Sequence, residues 1–394
     1  MRDVHHVRYA VLGGGASGSA LVRALATHGV PGAVLLVDHD SARLDDRVWG
    51  SWRPLSEPAD RAVSAAWRRF VVATERGERE LALVHHRYVA VRGRDLRAAT
   101  DAALRELGGE RLTARALGVR ETADGAVVST TAGDVHADLV LDSVGLFPER
   151  DATPHAWMSF TGWEVECDHP AFERERLRLM DFRVPQHDGV AFVYTLPWST
   201  TSALVELTCI ATEPTLSSTA ASLSTYLDRA LGAGRYVATR REEGVVPLRP
   251  RLHRQSSAHH LALGTTAGLV KASSGYGFEL ARRDAERIAS QLRAGRRPTG
   301  LVRSPRHQAM DAVFLDLAVR RPATLVAALE QLFARSSADL VLRFLDERTT
   351  VREEARLVSS LPVLPFAAAA AHTAARTAGR LAAHRARRPH EPAT

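Results

Sequence analysis

Lysine and cysteine are almost missing from this 394-residue chain. Its two cysteines, Cys167 and Cys209, cannot form a disulfide framework, so a buried core has to hold the fold. A reducing, cytoplasmic setting with both thiols inert in the core fits that usage. Lys271 is the only lysine among 52 Lys and Arg residues, so arginine carries nearly all of the formal charge of +7. Aromatic residues are only 6% of the chain and do not alternate with basic ones, which argues against a base-stacking nucleic-acid surface. The positive balance could still draw the protein to anionic lipid. No run reaches the roughly 20 apolar residues of a membrane span, and the first apolar stretch does not read as a signal peptide. The expectation is a soluble or peripheral protein of about two to three domains, with no metal site.

What the chain does have is glycine at chosen spacings. The segment RYAVLGGGASGSALVRALATHG runs from an apolar strand through Gly13-x-Gly15-x-x-Gly18 into a helical stretch, and VLLVD then forms a second strand ending in Asp38. This is a dinucleotide-binding βαβ pattern. Gly13 permits the turn, Gly15 lets backbone N–H groups approach a pyrophosphate at the helix N-terminus, and Gly18 lets helix and strand pack closely. Asp38 stands where a carboxylate binds ribose hydroxyls. A glycine-rich turn without a ligand is the plainer alternative.

Residues 44–70, with RVWGSW and AAWRRF, read as an irregular insertion. A strand and an amphipathic helix follow at 87–108, where Leu96, Ala99, Ala103, Leu104 and Leu107 make a helical stripe. Alternating strands then end in ADLVLD and a turn at Ser143–Gly145, which could place Asp142 near the same dinucleotide. Between 155 and 240 the runs SFTGWEVEC, RLMDFRV, VAFVYTLPWST and SALVELTCIAT are β-type, separated by turns such as HDG, and predict an antiparallel sheet covering a pocket. HLALGTTAGLVKASSGYGFELARRDAERIASQL then reads as strand, glycine-rich turn and helix. That layout is how flavoprotein domains close around FAD, with Gly264, Gly268, Gly275 and Gly277 bringing backbone near the cofactor and Tyr276 among them; a glycine-rich loop without a ligand is the alternative. From 305 the chain is helical, and Phe314, Leu317, Leu329, Phe333, Leu342 and Phe344 read as core. The Ala/Arg-rich end could be a frayed tail or a helix that seeks a membrane surface.

The predicted fold class is α/β: a Rossmann-type FAD-binding domain with an inserted antiparallel β-sheet substrate domain and a helical C-terminal region. The predicted boundaries are 1–150 and 241–300 for the two parts of the FAD-binding domain, 151–240 for the substrate sheet, 301–372 for the helical region and 373–394 for the tail.

In order along the chain, FTGWEVE, LMDFRVPQHDGVAFVYTLPWSTTSALVELT, VPLRP, LALGTTAGLVKASSGYGF, MDAVFL, RFLDE and LPVLPF resemble segments of the bacterial lycopene cyclases. That family shares a fold with FAD-dependent geranylgeranyl reductases and aromatic hydroxylases. Val144 stands where the family often has arginine, Glu206-Leu207-Thr208 keeps only the first acid of the family's glutamate motif, and Ser274 replaces a threonine. The resemblance implies a non-redox cycloisomerisation of the acyclic ends of lycopene to β-ionone rings, by protonation, carbocation closure and deprotonation. It implies FAD in reduced form, with NAD(P)H as the electron source. The partners implied are lycopene and other acyclic carotenoids, the inner membrane face and other enzymes of the carotenoid pathway, and no nucleic acid.

Glu206 lies in an apolar run where strand alternation puts it on the same face as Leu204 and Thr208, so a raised pKa would suit acid-base catalysis. It matches the family's acid and is the first catalytic candidate. Asp181 is the second, with a salt bridge to Arg183 as the alternative. Trp49, Trp52, Tyr194 and Trp198 are the candidates for lining a polyene site and facing positive charge. Two other readings stay open: a redox FAD enzyme, a saturase or hydroxylase of a prenyl or polyene chain, and a non-catalytic flavin or carotenoid binder.

Overall fold

A computed structural model describes residues 5–39, 47–147, 154–186, 189–250, 252 and 254–386. Its first sheet has seven strands: β1 (His5–Leu12), β2 (Val34–Asp38), β8 (Glu110–Thr113), β9 (Ala116–Glu121), β10 (Ala126–Thr130), β11 (Gly133–Asp142) and β17 (His260–Ala262). The order is β8-β2-β1-β11-β10-β9, with β17 parallel to β11. β2 is buried from Val34 to Val37, as a strand covered on both faces must be. Helices α1 (Ala16–Thr27), α2 (Gly93–Glu106) and α4 (Phe278–Arg293) pack on one face, where Leu21, Leu25, Leu104 and Ile288 share a cluster with Leu36. The predicted stripe of α2 is seen, with Leu96, Ala103 and Leu104 buried. The strand order reverses at β1, between β2 and β11, which is where such folds bind ligands.

The second sheet runs β16-β12-β15-β14-β13-β5-β6. Its strands are β5 (Arg69–Thr74), β6 (Gly77–Ala82), β12 (Ala156–Cys167), β13 (Arg176–Asp181), β14 (Val190–Pro197), β15 (Ser202–Ala211) and β16 (Tyr236–Leu248). All pairings are antiparallel except β13 with β5. The sheet therefore reaches outside 151–240: β5 and β6 come from the first part of the chain, and β16 continues to Leu248. One face packs on α3 (Leu216–Leu227), burying both cysteines as thiols. The other faces the C-terminal helices α5 (Pro305–Arg320), α6 (Pro322–Arg335), α7 (Ala338–Leu345), α8 (Val351–Ser359) and α9 (Val363–Ala386). Pro305 and Pro322 start their helices where a missing N–H costs nothing, and Thr350 with Glu353 forms a capping box on α8.

The irregular insertion expected at 44–70 is replaced, from 47 onward, by ordered strands. β3 (Val48–Pro54) and β4 (Ala65–Trp67) flank β7 (His86–Arg92) in a third sheet. The strand β3 is hard to read in the sequence because glycine, serine and arginine interrupt its apolar residues, although Ser51, Trp52 and Arg53 are all buried. Nor does the chain fray at 373. α9 runs on to Ala386, and His372 Nδ1 lies 2.6 Å from Asp316 Oδ1 of α5. Residues 387–394 of the expected tail and His187-Asp188 of the HDG turn lie outside the described residues. Among those described, no helix is long and apolar enough to cross a membrane.

Candidate active site

The glycine-rich turn is built for close approach. A Cβ on Gly18 would lie 1.9 Å from the carbonyl oxygen of Gly13, so only glycine allows this contact between α1 and the end of β1. Gly15 caps α1 with no side chain over the helix end, and the space where its Cβ would stand is open. Asp38 ends β2 beside this turn. Its Oδ2 lies 3.6 Å from Arg111 Nη1, is buried, and has no hydrogen-bond partner. Gly264, in a 3-10 turn after β17, meets Ser17 of α1, so the late glycine segment returns to the first, with Gly268 following at the turn's end. Asp142 is instead consumed locally: it accepts from the N–H groups of Val144, Gly145 and Leu146, and His260 lies 3.1 Å away.

Between β13–β15 and the C-terminal helices lies a cavity of about 480 Å³. Phe192 and Ile210 come from the sheet, and Phe314, Leu329, Phe333 and Phe344 from the helices. The last four were read as core. They are a wall, because the helical faces close on one another without filling the space between them and the sheet. Tyr276 lines the cavity too, on a loop held by the Lys271 N–H bond to the Tyr276 carbonyl. Gly275, in that loop, lies against Met158.

Glu206 occupies the same sheet face as Ile210, with 5% of its surface exposed. Burial pushes its carboxyl well above the usual range. The nearby Glu242 charge adds to the shift, and a hydrogen bond with the Tyr194 hydroxyl opposes it. Tyr194 is the direct cross-strand neighbour of Glu206 on β14. The Tyr88 and Tyr276 hydroxyls stand 3.3 Å apart. Burial holds the Tyr276 hydroxyl up at about 12. Trp52 meets the Tyr276 ring edge-on at 4.8 Å. The arrangement offers a neutral carboxylic acid, phenols and π-faces beside an almost wholly apolar chamber.

The other candidates are placed differently. Asp181 is a correction: its fully buried carboxylate accepts from Arg183 Nη2 at 2.7 Å and from Tyr226 at 3.0 Å, on the α3 side of the sheet. These partners hold its pKa low against the desolvation that burial imposes. It is a salt-bridge residue away from the cavity. None of Trp49, Trp52, Tyr194 and Trp198 is part of the cavity wall. Trp49 stacks on Phe278 and Trp198 lies under the Arg92 guanidinium, so of the tryptophans only Trp52 reaches the cavity's tyrosine. Sequence reasoning missed Glu242 and Lys271. The only signal for Lys271 was its uniqueness, and Glu242 sits unremarked in the charged run RREEG.

A family model described as lycopene cyclase protein matches residues 9–371. A curated lycopene beta-cyclase from Paracoccus sp. is 30% identical over 254 residues, which make up 60% of this chain and 64% of that protein's length. Solved structures show the same fold at low identity. A geranylgeranyl bacteriochlorophyll reductase-like protein from Thermoplasma acidophilum matches with TM-score 0.58 and 14% identity, over 91% of this chain and 96% of that one. Klebsiella pneumoniae HpxO, solved with FAD and uric acid, matches with TM-score 0.59 and 14% identity, over 86% and 96%.

Proposed function

The chain belongs to the lycopene cyclase family, and from that premise we propose that it cyclises the acyclic ends of lycopene to β-ionone rings without net redox change. The observation that carries this reading is a buried carboxylic acid, Glu206, which is not itself part of the cavity wall but shares its sheet face with Ile210 and acts electrostatically on Tyr276, two residues that line the apolar cavity. Glu206 gives its proton to the terminal double bond, whose electron pair forms the new C–H bond and leaves a tertiary cation. A neighbouring double bond supplies the pair that closes the ring and moves the cation onto it. Loss of a ring proton back to the Glu206 carboxylate makes the ring alkene. The product is an isomer of the substrate. Meanwhile the apolar walls keep water from quenching the cation, and the faces of Tyr276 and Trp52 offer it π density.

The glycine-rich end fits FAD: the unpartnered Asp38 oxygen suits a ribose hydroxyl, and the uncapped start of α1 suits a pyrophosphate. Bound and reduced, with NAD(P)H as donor, FAD supplies negative charge that offsets a cation. Asp38→Ala is expected to weaken FAD binding by about 10- to 100-fold, the loss of a hydrogen bond to a charged group. Quenching of flavin fluorescence on titration into apoprotein measures it, and unchanged affinity would take the ribose role from Asp38.

The substrate's hydrophobicity calls for delivery from a bilayer. Val363 and Leu364 are 70% and 84% exposed where α9 begins, and Val363 also belongs to the cavity wall. That apolar rim is the side proposed to meet the membrane.

The direct test is anaerobic incubation of the holoprotein with lycopene in liposomes and a reductant. Expected is a product of unchanged mass with blue-shifted absorption, formed only with reduced flavin. Addition of hydrogen or oxygen would make the protein a redox enzyme of a polyene chain instead, and unaltered lycopene would leave a binder.

A further inference from the structure

β12 lies between β16 and β15, the strand that carries Glu206. Its Gly162 pairs with Glu206 of β15 on one side and with Glu242 of β16 on the other. The flanking strands are roughly 10 Å apart, and two glutamates facing across an ordinary residue would be separated by its side chain. Here there is none. The point where a Gly162 Cβ would stand lies 2.7 Å from Glu206 Oε2 and 3.1 Å from Glu242 Cγ. Glu206 thus brings a carboxyl oxygen, and Glu242 its Cγ, to the space that the glycine leaves. Glu242 Oε2 accepts the Val48 N–H at 3.2 Å, while Oε1 is buried with no hydrogen-bond partner. A carboxyl oxygen left unpartnered in a side chain 2% exposed is expensive unless something shares its burden.

We propose that Glu242 is a positioning residue for Glu206: the two carboxyl groups converge over Gly162 and hold one proton between them. This keeps Glu206 in its acid form when substrate arrives. The inference rests on the cyclase reading for the step it serves, while the pairing itself stands on the sheet register.

The surroundings are consistent with a shared proton. Tyr194 on β14, Tyr88 on β7 and Tyr276 on the loop before α4 face Glu206 with neutral hydroxyls. Arg47 just before β3 and Arg240 on β16 bring positive charge to both acids. Arg240 Nη2 is 3.8 Å from Glu242 Oε1. Its Nε is bound to Glu164 Oε2 at 2.7 Å, and Glu164 also takes Arg92, so both arginines are largely engaged by Glu164. Glu164 in turn adds negative charge toward Glu242. Burial lifts Glu242 to about 7, against the pull of Arg240, and lifts Glu206 well above the usual carboxyl range, so the two acids titrate as a pair.

The test is the pH dependence of holoprotein cyclisation in lycopene liposomes, with infrared detection of protonated carboxyl groups in the same protein. Activity needs protonated Glu206, so the rate falls as pH rises through the pair's upper step. Glu242→Gln removes the like charge and lowers the Glu206 pKa. The alkaline limb is then expected to move down by about one pH unit or more, and the carboxyl band to vanish at correspondingly lower pH. Gly162→Ala, which intrudes on both acids, is expected to move the limb as well and covers the case in which Glu242→Gln folds poorly. A uniform loss of rate, with limb and band unmoved in both variants, would overturn the proposal. If the wild type closes no rings but the band still shifts in Glu242→Gln, the pair stands and the cyclase reading falls.

Discussion

Glu206→Gln is expected to lower the rate of ring closure by about 10²- to 10⁴-fold, the usual contribution of a positioned general acid. The substitution is unusually clean at this place. Burial favours the uncharged form of the native carboxyl, and an amide of the same shape is the closest uncharged replacement. Tyr194 keeps a carbonyl-type acceptor to bond. Flavin content and melting temperature should therefore stay near wild type while product formation collapses, as followed by chromatography of carotenoids from liposome assays. Turnover at the native rate with normal flavin would remove Glu206 from the chemistry. The acid would then have to come from another residue.

Lys271→Met is expected to destabilise the fold by about 3–5 kcal/mol, the cost of breaking a buried ion pair from one side. The Lys271 ammonium has no exposed surface, donates to Asp311 Oδ1 at 2.8 Å and lies 5.4 Å over the Phe344 ring. Arg303 bonds both Asp311 and Glu347, so two cations balance two anions inside the helical region. Taking away one cation leaves a net negative charge with no water to solvate it. Glu347 also has a φ of 59°, the only positive value among the described non-glycine residues, a conformation held in place by the arginine on its carboxylate. Asp311→Asn added to Lys271→Met should restore a good part of the loss, because it removes the stranded charge. Urea denaturation of the single and double variants decides the matter. A Lys271→Met protein as stable as wild type would mean that the cluster is not balanced as described.

The parts of this protein that were legible in the sequence are those fixed by local rules. Gly13, Gly15, Gly18 and Asp38 follow one another within a single βαβ unit, and the structure sets them around one turn. Alternation in SALVELTCI put Glu206 on the face of Leu204, and β15 does so. The adjacency of Asp181 and Arg183, two residues apart at the end of β13, already contained the salt bridge that removes Asp181 from the chemistry. What the sequence could not show depends on pairing between distant strands. Glu242 gains its meaning only from the register that sets it opposite Gly162, and nothing within RREEG marks it apart from its charged neighbours. The cavity is of the same kind: periodicity gives each C-terminal helix an apolar face, but whether those faces meet or stand apart is settled by how five helices pack on a sheet.

The single lysine has one more consequence. With its only ε-amine sealed between Asp311 and the Phe344 ring, the folded protein presents no side-chain target to acylating or cross-linking reagents that seek primary amines. Acylation at Lys271 can occur only when the floor of the cavity opens. The residue is therefore a built-in chemical reporter of that opening, read as one mass increment at one position.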